Sequence, residues 1–243
     1  MRREPEKLVT AVRIIEREEN FDDYLLLQQK KTGFIPANRP KQYREKFFDK
    51  LKESVFEKVE GNQLENRVNN KMWLVRHLEV IRIVMLEDLL IAKKHLQHCF
   101  PPEQNIFQYC LSLYHEAVTK QMLSLMAKGL EGNEYVTFLQ WVLQVYPSKE
   151  LLGHELLEIP SDLIPDILSD DETESLISTY LGNMSENYQN WMKNTVLQEQ
   201  SDWLGDIEPE LDLDNSYYTS TPVLINRFNK FYPYNSHLLN FLN

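Results

Sequence analysis

The chain has 243 residues, 42% of them apolar and only seven of them glycine. That excludes a disordered polymer, and it leaves little of the residue that sheet turns and phosphate loops depend on. The net charge of −11 is uneven: residues 1–98 carry 20 Lys/Arg and 16 Asp/Glu, while residues 99–243 carry 6 and 21, and so acidic a second half argues against nucleic acid as a partner. Cys99 and Cys110 are the two cysteines, Met1 is followed by Arg2, Arg3 and Glu4 rather than an apolar leader, and no apolar run is long enough to span a bilayer. These features predict free thiols in a cytoplasmic protein.

Long glycine-free stretches rich in Leu, Glu, Lys and Gln predict helix. The first runs over 6–31 and ends near Gly33, where Gly33, Pro36 and Pro40 make a loop. The second covers 41–60, with Phe47, Leu51, Val55 and Val59 spaced by four and Gly61 as its stop. Residues 61–70 read as a polar connector. The strongest helix covers 71–98, ~42 Å at the usual rise. One stripe on it is Leu74, Leu78, Ile81, Met85, Leu89, Ala92 and Leu96; a second is Ile83, Leu86 and Leu90. Apolar residues on two sides predict burial among several helices, and make this the central, most buried helix. Pro101-Pro102 open a helix carrying Phe107, Leu111, Tyr114, Val118, Met122 and Leu125, which stops near Gly129. A shorter one spans 133–146 before Pro147. Residues 148–168, with Pro160 and Pro165, read as irregular. Ser169-Asp170-Asp171-Glu172 has capping-box spacing and opens a helix with Ile177, Leu181, Met184, Tyr188 and Trp191 on one side. An acidic loop follows over 202–214, and a last helix opens near Thr221-Pro222. The expected fold is all-α: about seven helices in an elongated bundle or rod segment. The expected organisation is a first bundle over 1–147, a connector over 148–168, the start of a second bundle over 169–225 and an atypical tail over 226–243.

Chemical signatures are weak. His115-Glu116 begins like a zincin motif, but Thr119 stands where the second His is needed. His154 and Glu158 lie four apart without a second His, in a proline-broken region. His95, His98, Cys99, Cys110 and His115 flank the Pro101-Pro102 turn, yet no pair has the tight spacing of a structural zinc site. The ordinary reading is two buried thiols and histidines near a helix end. No glycine-rich phosphate loop, nucleophile elbow or S-x-x-K occurs. Trp73, Trp141, Trp191, Tyr114 and Tyr188 fall in apolar stripes and read as core. The basic run Lys30, Lys31, Arg39, Lys41, Arg44, Lys46, Lys50 and Lys52 could face anionic lipid, but Glu45, Asp49 and Glu53 interrupt it, as on an ordinary solvated helix.

Several stretches taken together carry a resemblance. They are residues 8–19 (LVTAVRIIEREE), the loop Lys31-Thr32-Gly33-Phe34-Ile35-Pro36 with Arg39-Pro40-Lys41, and residues 71–79 (KMWLVRHLE). They continue with Cys99-Phe100-Pro101-Pro102, Leu113-Tyr114-His115, Trp141-Val142-Leu143, and Glu208-Pro209-Glu210 followed by Tyr217-Tyr218. In order and spacing the chain resembles, over about residues 8–225, the exocyst complex component 3 family, which includes the yeast secretion subunit usually numbered six. The resemblance implies a rod of helical bundles and a subunit of the eight-protein exocyst, which tethers secretory vesicles to the plasma membrane before SNARE-driven fusion. It implies other exocyst subunits and SNARE proteins as partners, and a cytoplasmic protein recruited to sites of exocytosis, with peripheral membrane association through the complex. It brings no catalytic, cofactor or metal residue, so no enzyme is expected. Family members are longer at both ends, with an N-terminal coiled-coil portion and later bundles. Residues 227–237 do not read like the family, and the chain is expected to be a truncated product. Two readings stand beside this one: a helical metal-dependent hydrolase using His95, His98 and His115, and an exocyst-related adaptor outside the complex.

Overall fold

A computed structural model describes residues 5–61, 67–205, 211 and 214. Among them are six α-helices and no β-strand: α1 (Pro5–Thr32), α2 (Tyr43–Glu60), α3 (Trp73–Ile91), α4 (Ile106–Ala127), α5 (Glu134–Gln140) and α6 (Asp170–Leu204). The all-α expectation holds. The seventh expected helix, the 226–243 tail and most of the 202–214 loop lie outside the described residues. The chain divides into two compact units, the first ending at Ser169 and the second beginning at Asp170.

In the first unit, α2 packs chiefly on α4 and α1 on α2, while α3 packs on both α4 and α5. The core is formed where apolar stripes meet. Val55 and Val59 of α2, Leu74, Leu78, Ile81, Met85 and Leu89 of α3, and Ala117, Val118, Met122 and Leu125 of α4 are all at most 4% exposed. Each set recurs at three- and four-residue steps, which place side chains on one side of a helix. The central element is α4 rather than the expected 71–98 helix: eleven of its 22 residues are buried, against seven of 19 in α3. Nor does that helix run to 98. α3 ends at Ile91 and continues as a wider, π-type turn over Ala92–Leu96 and a tight 3-10 turn over Gln97–Cys99. The altered phase keeps Ala92 and Cys99 buried and leaves Leu96 half-buried. α5 gives way to a similar π-type turn over Trp141–Val145, which delivers Tyr146 to the core at 1% exposure.

Residues 148–168 lack a helix of more than one turn, as expected, yet they do not hang between bundles. Leu151, Leu152 and Leu157 are fully buried, and Ile167 and Leu168 are nearly so. Turn hydrogen bonds satisfy the backbone these leucines carry inward: Leu152 N–H donates to Tyr146 C=O (3.1 Å) and Gly153 N–H to Ser148 C=O (2.8 Å). A β-carbon at Gly153 would stand 2.7 Å from the Pro147 carbonyl oxygen, so only glycine fits.

The second unit is described through α6, 35 residues and ~53 Å long. Asp170, Asp171 and Glu172 occupy its first turn, where the helix dipole favours acids. Its buried residues are Leu176 and Tyr180, whereas Leu181 and Tyr188 of the expected apolar side are exposed. Asp202, Trp203 and Leu204 still belong to the helix, which corrects the start of the expected acidic loop.

Candidate interaction surface

Of the sequence-nominated residues, His115, Cys99, Cys110 and His154 are held in separate structural settings, while His98 is exposed. His115 Nδ1 is 2.9 Å from the Tyr146 hydroxyl. Cys99 donates to the His95 carbonyl oxygen one turn earlier (3.3 Å). Burial pushes the Cys110 thiol up to about 11, with Asp88 adding to the effect, so this sulfur stays protonated and unreactive. His154 caps a short turn by accepting from Leu156 N–H (3.2 Å). Among the described residues no three His, Cys, Asp or Glu side chains come close enough to share a metal ion.

The basic run is mostly consumed within the chain. Arg39 donates to Asp22 (2.6 Å) and Glu18 (2.8 Å), Lys41 Nζ donates to Glu18 (3.0 Å), and Arg44 pairs with Glu19 (2.6 Å). Lys50 pairs with Glu53 and Lys52 with Glu116. Asp22 is 5% exposed. Burial pushes its carboxyl up, but Arg39 and the backbone N–H groups of Lys41 and Gln42 more than compensate and hold it below its ordinary value. Glu18 is lowered by its hydrogen bonds from Lys41 and then Arg39. This clamp ties α1 to the start of α2. The sequence signal for it is slight: acids at 18, 19 and 22 fall on one side of a helix, with cations at 39, 41 and 44 across the loop.

A second polar knot joins the 67–70 turn to the 129–134 turn. Arg67 pairs with Glu131 (2.8 Å) and Glu134 (2.9 Å), and it donates to the Gly129 carbonyl oxygen (2.7 Å). Trp73 Nε1–H donates to Glu134 (2.6 Å). Beside this knot a groove of about 620 Å³ is lined by Val68, Met72, Val75 and Thr137, among others. At the far end of the same helix a smaller hollow of about 330 Å³ lies among Glu87, Leu90, Ile91, Lys94 and His95.

Between the two runs the second stripe of α3. The expectation that it is buried fails: Ile83 is 41% exposed, and Leu86 and Leu90 are half-buried; Val75 and Val80, outside that stripe, are each 39% exposed. The first unit packs on α3 through α4 and α5, with α2 and the 155–157 turn touching it as well. A side of α3 on which exposed Val75, Val80 and Ile83 stand among the charged Arg76, Glu79 and Glu87, with a hollow at each end, is thus open to solvent. Such a strip can take up an apolar protein surface; among the described residues it presents no constellation for bond-making chemistry.

The family described as Exocyst complex component Sec6 matches residues 1–228. The chain is 42% identical over 226 residues to Exocyst complex component 3 of Drosophila melanogaster, which covers 93% of this chain and 30% of the fly protein. It is 34% identical over 223 residues to Exocyst complex component 3 of Caenorhabditis elegans, covering 90% of this chain and 28% of that one. The chain thus spans less than a third of the length of these relatives. Among solved structures the crystal structure of M-Sec shares the fold, with a TM-score of 0.57 at 19% identity over 83% of this chain and 35% of that one.

Proposed function

We propose a role from one premise: this chain belongs to the Sec6 family of exocyst components. In this reading it is part of an exocyst subunit and works as a helical scaffold without catalysis. Its complex docks secretory vesicles at the plasma membrane before SNARE-mediated fusion. The partners are other exocyst subunits and SNARE proteins, and membrane association is peripheral, through the complex. No helix among the described residues is long and apolar enough to cross a membrane, which fits recruitment by partners.

The observation that carries the reading is the open strip on α3. Apolar side chains at 75, 80 and 83 stand in solvent on a helix whose other side is fully packed. A surface of that kind gains from being covered by a partner, at about 25 cal/mol for each Å² of apolar area buried. The test is capture from cells. The tagged chain retrieves other exocyst subunits, and Val80→Asp with Ile83→Asp loses them while its melting temperature stays put. Retrieval of no exocyst subunit by the unaltered chain overturns the reading. Direct pull-down with purified SNARE proteins checks the second class of partner.

A further inference from the structure

α1 is the least covered helix of the first unit, with Val12 and Asp22 as its buried residues. Its inner side carries Glu18, Glu19 and Asp22, all engaged by Arg39, Lys41 and Arg44. Its outer side has a different character. Thr10, Ile14, Arg17, Phe21, Tyr24, Gln28 and Lys31 follow one another at alternating steps of four and three. That is the spacing of a coiled-coil seam. Six of the seven are exposed and Gln28 is half-buried. Ile14, Phe21 and Tyr24 are 43%, 47% and 54% exposed; the last two stack with ring centroids 6.4 Å apart, and the Arg39 guanidinium of the clamp lies 4.7 Å from the Phe21 ring at the seam's edge. The seam runs ~32 Å along the helix.

From Thr10 to Lys31 the charges along it have one sign; the exposed Glu6 lies on the same side one turn earlier. Arg13, Lys31 and Arg17 lie on or beside the seam; Arg17 is 75% exposed and lies 3.9 Å from Glu18. The exposed acid Asp23 and the half-buried Glu16 lie about a quarter turn or more round the helix. With the inner acids neutralised, the outer side is apolar and net positive.

We infer that the outer side of α1 docks an amphipathic helix of a partner protein, antiparallel or parallel, whose apolar seam is edged by Asp and Glu. The seam spacing calls for a helix. Arg17 decides against a lipid surface, because it sits within the seam between Ile14 and Phe21. Burial under acyl chains would strip its water without offering a counter-charge, whereas a facing helix supplies a carboxylate. A second copy of α1 would set two positive faces against each other. This surface is distinct from the α3 strip, and the inference does not require the partner to be an exocyst subunit.

The test uses the intact 243-residue chain and a fluorescent designed helix of about four heptads, with Leu in its seam and Glu on both edges. A twin carries Lys in place of each Glu. Anisotropy at low salt is expected to show the Glu helix binding about tenfold or more tightly than its twin, a gap that narrows at high salt. Arg13→Glu with Arg17→Glu reverses the preference, a readout that needs no change to any packed residue. Ile14→Asp with Phe21→Asp abolishes binding of both helices. Equal binding of the twins, or a preference that survives the charge reversal, overturns the proposal. So does capture of phosphatidylserine vesicles in place of the Glu helix, or self-association of the chain that Phe21→Asp removes.

Discussion

α1 and α4 are both long helices of the same unit, and they are held by opposite means. α4 buries eleven of 22 residues, nearly all apolar, and two of its buried polar groups are paired inside: Tyr114 donates to Asp88, which also takes Lys58, and Gln121 meets His77 at 2.9 Å. α1 buries two of 28 residues and is fastened by the Arg39, Lys41 and Arg44 clamp. Apolar burial contributes in proportion to area and is not screened by salt. A partly exposed ion-pair network contributes less and is screened. Stability in this unit therefore resides in α3, α4 and the turns they enclose, while α1 is left as surface.

The largest effect should come from a charge placed in that centre. Leu78, 1% exposed, has no partner for a carboxylate, so Leu78→Asp should cost on the order of 3–5 kcal/mol and unfold the first unit. An unchanged melting temperature by circular dichroism would refute the assignment of α3's inner stripe. Met122→Ala on α4, at a fully buried site, should cost about 2–5 kcal/mol through the cavity it leaves.

Cutting the clamp should act more locally. Arg39→Ala leaves the buried Asp22 carboxylate without its side-chain partner. Amide exchange should speed up along α1 and the start of α2 and stay slow in α4. Equal acceleration in both helices would mean that the two are not separately held. Acid should act in the same direction. The Glu18 and Asp22 carboxyls are lowered in the fold, so their contribution is present above the unfolded carboxylate range near pH 4 and is lost as pH falls through the lower folded values.

The core has its own pH signature at a higher pH. Burial, with Lys128 nearby, pushes His77 below its ordinary 6.5. The unfolded chain therefore takes up the proton first, and stability falls as pH drops below that value. Melting temperatures taken from about pH 7.5 to 5.5 should show this slope, and it should shrink in His77→Gln. An identical slope in both proteins would assign the effect to other groups, His115 among them, whose imidazole burial also lowers against a smaller opposing pull from Asp166. The smallest change in stability is expected on the open strip of α3: Ile83→Asp, 41% exposed, should stay within about 0.5 kcal/mol of the parent by denaturant titration.

Helix positions were legible in the residues because they depend on local geometry. The four-residue spacing of Phe47, Leu51, Val55 and Val59, with Gly61 after it, marks α2 whatever lies around it. Gly129 likewise marks the end of α4, whereas Pro101-Pro102 do not open it as expected: they lead into a separate 3-10 turn over Pro102–Gln104, and α4 begins at Ile106 after a left-handed Asn105. The fate of each side was not legible. Both stripes of α3 are apolar in sequence, yet one is core and the other largely surface, because α2, α4, α5 and the 155–157 turn pack on one side of the helix. On α6 the pattern favours Ile177, Leu181 and Tyr188, while Leu176 and Tyr180 are the residues withdrawn from water. The clamp and the Arg67 knot were hidden for the same reason: they arise from residues 17 to 67 positions apart in the chain, such as Asp22 with Arg39 and Arg67 with Glu134.

By themselves, the residues determined that this protein is all helix, where most of its helices begin and end, and which family it belongs to, since periodicity, capping and the order of short motifs are properties of the chain alone. Tertiary structure alone decided that α4 is the centre, that the leucines at 151, 152 and 157 complete the core, that Asp22 is a buried anchor, and that α1 and α3 each keep one apolar side in water. A side chain's burial depends on what folds against it, and no local spacing carries that information.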